Sequence, residues 1–318
     1  MKLIDMHCDT LWKMMDLDKE GNLMENQCSI NIPGMKKAGT LAQFFACFTY
    51  LEDYKAKGAY EKGYARILEM IRFLDQQINA FPDEIARACS RKEILRNESE
   101  GKISALLGVE DGGVLNGKME RLEELYRKGV RLVTLLWNHE NCIGHPNSRR
   151  PGEMWQGLKP FGIQMVERMS ELKMIVDVSH ASDGTVRDVL EHARGAVIAS
   201  HSNCRAVCPH PRNLTDEMIR AIANRGGIAG VNFYGPFLGT ETESRISEIT
   251  HHILHMIDVG GSSFPAIGTD FDGFDGMEVM DIPEVGSMER LWEALKKKGI
   301  SERQLDMIWR RNALRVIP

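Results

Sequence analysis

Eight short β-type runs, each followed by a longer helical pattern, repeat along the whole chain, and this alternation limits the fold more than any single motif. The runs are "KLIDMH" (2–7), "AQFFACFTY" (42–50), "ISALLGVE" (103–110), "RLVTLLWN" (131–138), "MIVDVSH" (174–180), "AVIASH" (196–201), "IAGVNFY" (228–234) and "PAIGTD" (265–270). They are near-continuous apolar stretches rather than alternating ones, as parallel strands covered on both faces require. Between them, "YEKGYARILEMIRFLDQQI" sets Tyr60, Tyr64, Ile67, Leu68, Ile71, Leu74 and Ile78 on one helical stripe. "SRISEITHHILHMIDVGG" repeats the pattern and stops at Gly260–Gly261. "LTDEMIRAIANRGG" opens on Thr215 as an N-cap with two acids behind it and ends on Gly226–Gly227. Eight strands alternating with helices over 318 residues predict an α/β chain folded as a (β/α)8 TIM-type barrel. No Gly-rich phosphate loop follows the first strand, which weighs against a doubly wound sheet. No linker or low-complexity tract divides the chain, so residues 1–318 read as one domain.

In such a barrel the chemistry sits at the C-terminal ends of the strands. Those ends are crowded here with ligand-type side chains. The first strand ends in His7 and Asp9, the third in Glu110 and Asp111, the fifth in His180, the sixth in His201 and the eighth in Asp270 and Asp272. Each alone has a mundane reading: a single His at a strand end is usually solvated or satisfied within the core, and "TDFDG" could be an Asx turn or a chance calcium-loop fragment. Five strands agreeing is harder to assign to loop polarity.

Three imidazoles with at least two carboxylates suit a borderline ion such as Zn²⁺, and a bridging carboxylate would make room for two. A thiolate site is the competing reading. It is weakened because Cys8 alternates away from His7 and Asp9, and "CRAVC" (204–208) lacks a second pair. Metal binding can lower the pKa of water from ~15.7 to ~7, about 12 kcal/mol of deprotonation cost. General base catalysis alone gives ~10²–10⁴-fold. With no obvious Ser–His or Cys–His pair, the pattern points to metal-assisted hydrolysis.

Composition excludes several other classes. The net charge of −5 gives no reason to expect nucleic acid or an anionic membrane. Seven scattered cysteines suggest free thiols in a reducing compartment rather than a disulfide framework. No run approaches the ~18 apolar residues of a membrane span.

The segments "IDMHCDT", "GVEDGG", "DVSHAS", "ASHSNC…HPRNL", "GVNFY" and "GTDFDG" occur in the order and approximate spacing of the membrane (renal) dipeptidase family, and the resemblance runs from residue 4 to the C-terminal "RRNALRV". It implies a (β/α)8 barrel with two Zn²⁺ per chain that cleaves dipeptides, often tolerating a D-residue at the C-terminal position. Carried onto this chain, it implies that His7, Asp9 and Glu110 hold one zinc. Glu110, His180 and His201 would hold the other, with Glu110 bridging. A hydroxide shared by the metals would attack the scissile carbonyl while Asp270 moves the proton. Arg212, eleven residues after His201, matches the arginine that grips the substrate's free carboxylate, and Tyr234 would line the pocket. Mammalian members carry a substrate-contacting His after the fourth strand. This chain reads "LLWNHEN" there, with Trp137 or Asn138 nearest and His139 just beyond, so His139 is the candidate for that role.

The chain departs from the family pattern at two further places, with Cys8 where Asn is usual and Arg311 where Gly is common. The mammalian leader and lipid-anchor signals are missing, which implies a cytoplasmic, bacterial-type member that binds a dipeptide and neither nucleic acid nor membrane. A homodimer is compatible with this reading. The alternative is another binuclear amidohydrolase, a deaminase or lactonase, on the same barrel. Those enzymes often bridge their metals with a carbamylated Lys after the fourth strand, and "TLLWNHE" has none. A non-enzymatic barrel that keeps metal for binding is the third reading. Of the remaining histidines, His251, His252 and His255 read as a surface-helix set, and His145 and His210 as candidates for the pocket edge.

Overall fold

The computed structural model describes residues 1–54 and 59–318. The eight expected strands are all present: β1 (Leu3–Cys8), β2 (Thr40–Cys47), β3 (Ile103–Glu110), β4 (Val130–Thr134), β5 (Ile175–Asp177), β6 (Val197–Ile198), β7 (Ala229–Val231) and β8 (Pro265–Ile267). Every pairing among them is parallel and between sequence neighbours, with β8 returning to β1 through Asp5 and Ile267. The ring closes between β6 and β7 by a bridge from Ala199 to Ala229, supported by the Ala199 N–H on Ile228 O (3.0 Å) and the Gly230 N–H on Ala199 O (2.8 Å). Glycine is required at this seam. A Cβ on Gly230 or Gly268 would collide with the Ser200 carbonyl oxygen. The expectation of a (β/α)8 barrel is met.

One buried cluster draws side chains from nearly every strand: Ile4 and Phe44, then Leu106, Leu132, Ile175, Ile198 and Ala266. Leu314 and Ile317 from the chain's end join it, and the Pro318 carbonyl accepts from the Arg91 N–H. This is the barrel lumen, plugged with hydrocarbon at the N-terminal ends of the strands. The opposite end is left for polar groups. A second cluster packs the outer strand faces against helices, Val109, Val133, Val176 and Val231 among them. Cys8 belongs to that outer layer, with its Sγ 3.5 Å from Phe44 O, on the opposite side of the strand from His7 and Asp9 as expected.

The helices follow the sequence patterns. Thr215 caps Asp216–Asn224 by accepting from the Met218 N–H, and Ile246–Gly260 ends at Gly261 with φ 81°. Three short strands carry no legible signal: Ile85–Arg87 beside β3, and the parallel pair Glu243–Ser244 and Val279–Met280. Two or three residues are too few for a period to register. Among the described residues no helix is long and apolar enough to cross a membrane. All seven cysteines are free thiols.

The strands stop sooner than their apolar runs suggest. β5 ends at Asp177 and β8 at Ile267, so His180 and Asp270 lie in the turns beyond, both left-handed (φ 68° and 62°). A left-handed residue that is not glycine costs of order 1 kcal/mol and persists only where its surroundings over-determine it. The expected surface set at 251–255 also needs correction. His252 is fully buried, accepting from the Cys204 N–H at Nδ1 (3.2 Å) and lying 3.3 Å from Leu238 O through Nε2, while His255 pairs with Asp216 at 2.8 Å.

Candidate active site

His7 lies on β1 and Asp9 one residue past it, where the Asp9 N–H donates to Phe271 O (2.9 Å). The β1–β2 register slips between Asp5 and Cys8, a local bulge at the strand end of the kind that re-aims side chains near sites. Glu110 is the last residue of β3. From these positions and the turns after β5, β6 and β8, side chains converge on one buried point. His7 Nε2 lies 3.2 Å from Asp9 Oδ2, 3.5 Å from Glu110 Oε2 and 3.6 Å from Asp270 Oδ1. The other Glu110 oxygen, Oε1, is 3.0 Å from His180 Nε2 and 3.6 Å from His201 Nε2. Glu110 thus divides its two oxygens between two groups of imidazoles.

Hydrogen counting shows what these groups face. His180 Nδ1 is 3.1 Å from the Asn138 side-chain oxygen, which can only accept, so Nδ1 carries the proton. His201 Nδ1 is 2.7 Å from Ser200 Oγ, whose own proton goes to Asp177 Oδ2, so this Nδ1 is also the protonated nitrogen. Both Nε2 atoms then present lone pairs. They lie 3.1 Å apart beside a Glu110 oxygen, and neither imidazole has a proton of its own to place between them. Such an array draws positive charge to its centre, a metal cation or, without one, a proton on Glu110. Asp9 Oδ1, buried without a partner, presents a further unused lone pair. The residues fit a metal centre. Two metal-capable sets share Glu110, one with His7 and Asp9 and one with His180 and His201, and a third joins His7, His201 and Asp270.

Charge follows from the same crowding. Burial and the Asp9 carboxylate push Glu110 up to about 8. Burial, with Asp9 adding to it against His7 and Arg212, pushes Asp270 up to about 7. Burial would lower His7, but Asp9 and Glu110 outweigh it and hold the imidazole well above its usual range. Burial, with Arg212 and His7 adding to it, holds His180 and His201 well below theirs.

Each expected site residue can now be located. His7, Asp9, Glu110, His180, His201 and Asp270 come together. Arg212 is 4% exposed, its Nη1 donating to Ser202 Oγ (2.8 Å), while Nε and Nη2 are buried without a partner. Its guanidinium stands 5.5 Å above the ring of Phe237, which lines a cavity of about 190 Å³ together with Tyr234, Asp270 and Glu110. His139 is not brought to that cavity: it is half exposed and lies 3.6 Å from Glu52. Trp137 and Asn138 line it instead. His210 stacks on Phe237 (4.8 Å) outside the lining, and His145 is held by Gly157 O (2.9 Å). Asp111 and Asp272 are structural. Asp111 accepts from Asn141 Nδ2 and the Gly113 N–H, and Asp272 from Thr10 Oγ1 and the Ser29 N–H. Sequence reasoning named Asn138 only as a position aligned with the mammalian His and gave no role to Ser200 or Asn232, the last donating to Asp270 Oδ2 (2.8 Å). Ser200 and Asn232 lie inside the motifs, but nothing in a sequence distinguishes such a residue from a loop polar residue.

The model of the membrane dipeptidase family, peptidase family M19, matches residues 1–318. A Klebsiella pneumoniae protein described as an uncharacterized protein in the pqqA 5′ region is 32% identical over 78% of this chain and 94% of its own length. A Schizosaccharomyces pombe protein described as an uncharacterized dipeptidase is 28% identical over 99% of this chain and 79% of its own length. Among solved structures, a metallopeptidase from Rhodobacter sphaeroides liganded with a phosphinate mimic of L-Ala-D-Ala superposes with a TM-score of 0.90 at 22% identity, covering 100% of this chain and 98% of that one. The fold, the metal-ready cluster and the match over the full chain together make this protein a member of the membrane dipeptidase family, peptidase family M19, and a metal-dependent dipeptidase.

Proposed function

We propose that the chain hydrolyses dipeptides with a free C-terminal carboxylate, including those with a C-terminal D-residue, using two Zn²⁺ ions. The observation that carries this reading is the convergence of the His180 and His201 lone pairs on Glu110 Oε1, with His7 and Asp9 on its other oxygen. His7, Asp9 and Glu110 would hold one ion; Glu110, His180 and His201 would hold the other. Bound there, the ions supply a Lewis acid and water made acidic enough to react near neutral pH.

The chain's own residues do the rest. Asn232 ties down Asp270 Oδ2 and leaves Oδ1 to take a proton and return it to the leaving amine. Arg212 offers Nε and Nη2, the edge of a guanidinium that matches both oxygens of a carboxylate. Ser202 fixes its third nitrogen. Tyr234 borders the cavity beside it. The Rhodobacter protein's L-Ala-D-Ala mimic supports the D-residue part of the reading. The test is a spectrophotometric screen of dipeptides with L- and D-residues at each position, with zinc supplied and withheld. Zinc-dependent cleavage of free dipeptides is expected. Hydrolysis of lactones or deamination in place of peptide cleavage would overturn it.

A further inference from the structure

The cavity has two aromatic walls of different make-up. Tyr234, Phe237 and Phe274 form one, with Tyr234 4.9 Å from Phe237 and 5.2 Å from Phe274, and Phe237 lies under Arg212. Trp12, Phe48, Tyr50 and Trp137 form the other as a continuous set of ring contacts, edge-to-face except for the tilted Phe48–Trp137 pair. Phe48 and Tyr50 are 4.9 Å apart, Phe48 and Trp137 5.1 Å, Tyr50 and Trp137 5.4 Å, and Tyr50 and Trp12 5.7 Å. The barrel order puts them on opposite halves. Trp12 follows β1, Phe48 and Tyr50 follow β2 and Trp137 follows β4, whereas Arg212, Tyr234 and Phe274 follow β6, β7 and β8. The metal-ready cluster lies between, and Trp137 reaches His180 at 6.3 Å.

A dipeptide has only two side chains to place. With its carboxylate on Arg212, its C-terminal residue lies along the Phe237 wall, and its scissile carbonyl is at the metal cluster. The N-terminal side chain can then only face the other wall. That wall is more than packing: Tyr50 is 38% exposed, and the two tryptophans are only partly buried. Aromatic surface left open inside a cavity is surface available to a ligand.

We infer that Trp12, Phe48, Tyr50 and Trp137 are the specificity wall for the dipeptide's N-terminal side chain and select a large apolar or aromatic one. The orientation rests on the proposed grip of Arg212 on the carboxylate. Burying such a side chain against this wall raises kcat/KM about 10–100-fold over glycine at the same position.

The experiment measures kcat/KM of the zinc-loaded enzyme for Phe-Ala, Leu-Ala, Lys-Ala and Gly-Ala, and separately for Ala-Phe and Ala-Gly. Phe-Ala and Leu-Ala are expected to exceed Gly-Ala by that factor. In Tyr50→Ala and Trp12→Ala the Phe-Ala to Gly-Ala ratio should fall toward one, while the Ala-Phe to Ala-Gly ratio stays as in the wild type. A wild-type enzyme indifferent to the N-terminal residue would overturn the inference without needing any variant to fold. So would variants that move both ratios together, which is the signature of a merely structural wall. A preference for Lys-Ala would instead make the wall a cation–π site and reject the apolar assignment. Failure of the Arg212 reading has its own mark: C-terminally amidated dipeptides would be cleaved as well as free ones.

Discussion

His180 Nε2 and His201 Nε2 stand 3.1 Å apart, and neither carries a proton to give the other. Asn138 and the Asp177–Ser200 pair hold the protons on the far nitrogens, so the near ones present bare lone pairs beside Glu110. Because that arrangement is built for cations, metal analysis of the active enzyme should find two divalent ions per chain. Chelation should abolish turnover and lower Tm, since ions that bind only the folded state stabilise it. Full activity with one ion per chain would sink the two-ion reading.

Ser200 links the fully buried carboxylate of Asp177 to the imidazole of His201, one of the proposed metal ligands. Outer partners of ligand histidines are worth about 10–100-fold in metal affinity. Ser200→Ala should weaken the more weakly held ion by that factor in a competitive chelator titration, and Ser200→Thr should restore most of it. An unchanged titration curve for Ser200→Ala would show that the hydroxyl does not orient His201.

Asp270→Asn should keep the metals and lose turnover by at least the ~10²-fold typical of an acid–base group. Its Oδ1 nevertheless lies 3.6 Å from His7 Nε2, within metal reach. Should the folded variant come out of dialysis short of an ion, Asp270 is a ligand and its proton-transfer role must be given up.

Amidating the substrate's C-terminus should cut kcat/KM about 10–100-fold, the worth of a charged hydrogen bond or two. Arg212→Met should weaken free dipeptides comparably and no longer tell free from amidated. If Arg212 were only a structural cation, the variant would lower Tm and harm both substrates alike.

His252 makes a prediction outside the site. Burial holds its imidazole down to about 4, and its two hydrogen bonds suit the neutral ring. Below about 6.5 the unfolded chain takes a proton that the folded one refuses. Stability should therefore fall as pH drops from about 6.5 to about 4, by at most about 3 kcal/mol from this residue, with no pH effect from it above 7. His252→Gln, which can accept from the Cys204 N–H and donate to Leu238 O, should flatten that fall in urea melts across the range. An identical slope in the variant would assign the acid sensitivity to other groups.

Local sequence determined the barrel and much of its site. The eight apolar runs mark the eight buried parallel strands of the barrel, and a side chain on or beside a strand end, such as His7, Asp9 or Glu110, inherits its place from the strand. Tertiary structure decided the rest, because those features depend on partners far away in the chain. "GTDFDG" holds two carboxylates of the same type two residues apart, yet Asp270 turns to the cluster while Thr10 and Ser29, more than 240 residues earlier, take Asp272. His139 and Asn138 are neighbours, but only Asn138 meets His180. His252 sits in a helix that reads as exposed and is buried because the Cys204 loop folds over it. Periodicity fixes which face a residue takes on its own element. Which lone pairs are left bare, which carboxylates are satisfied and which imidazole stays neutral depend on hydrogen-bond partners that only the closed barrel brings within 3 Å or so.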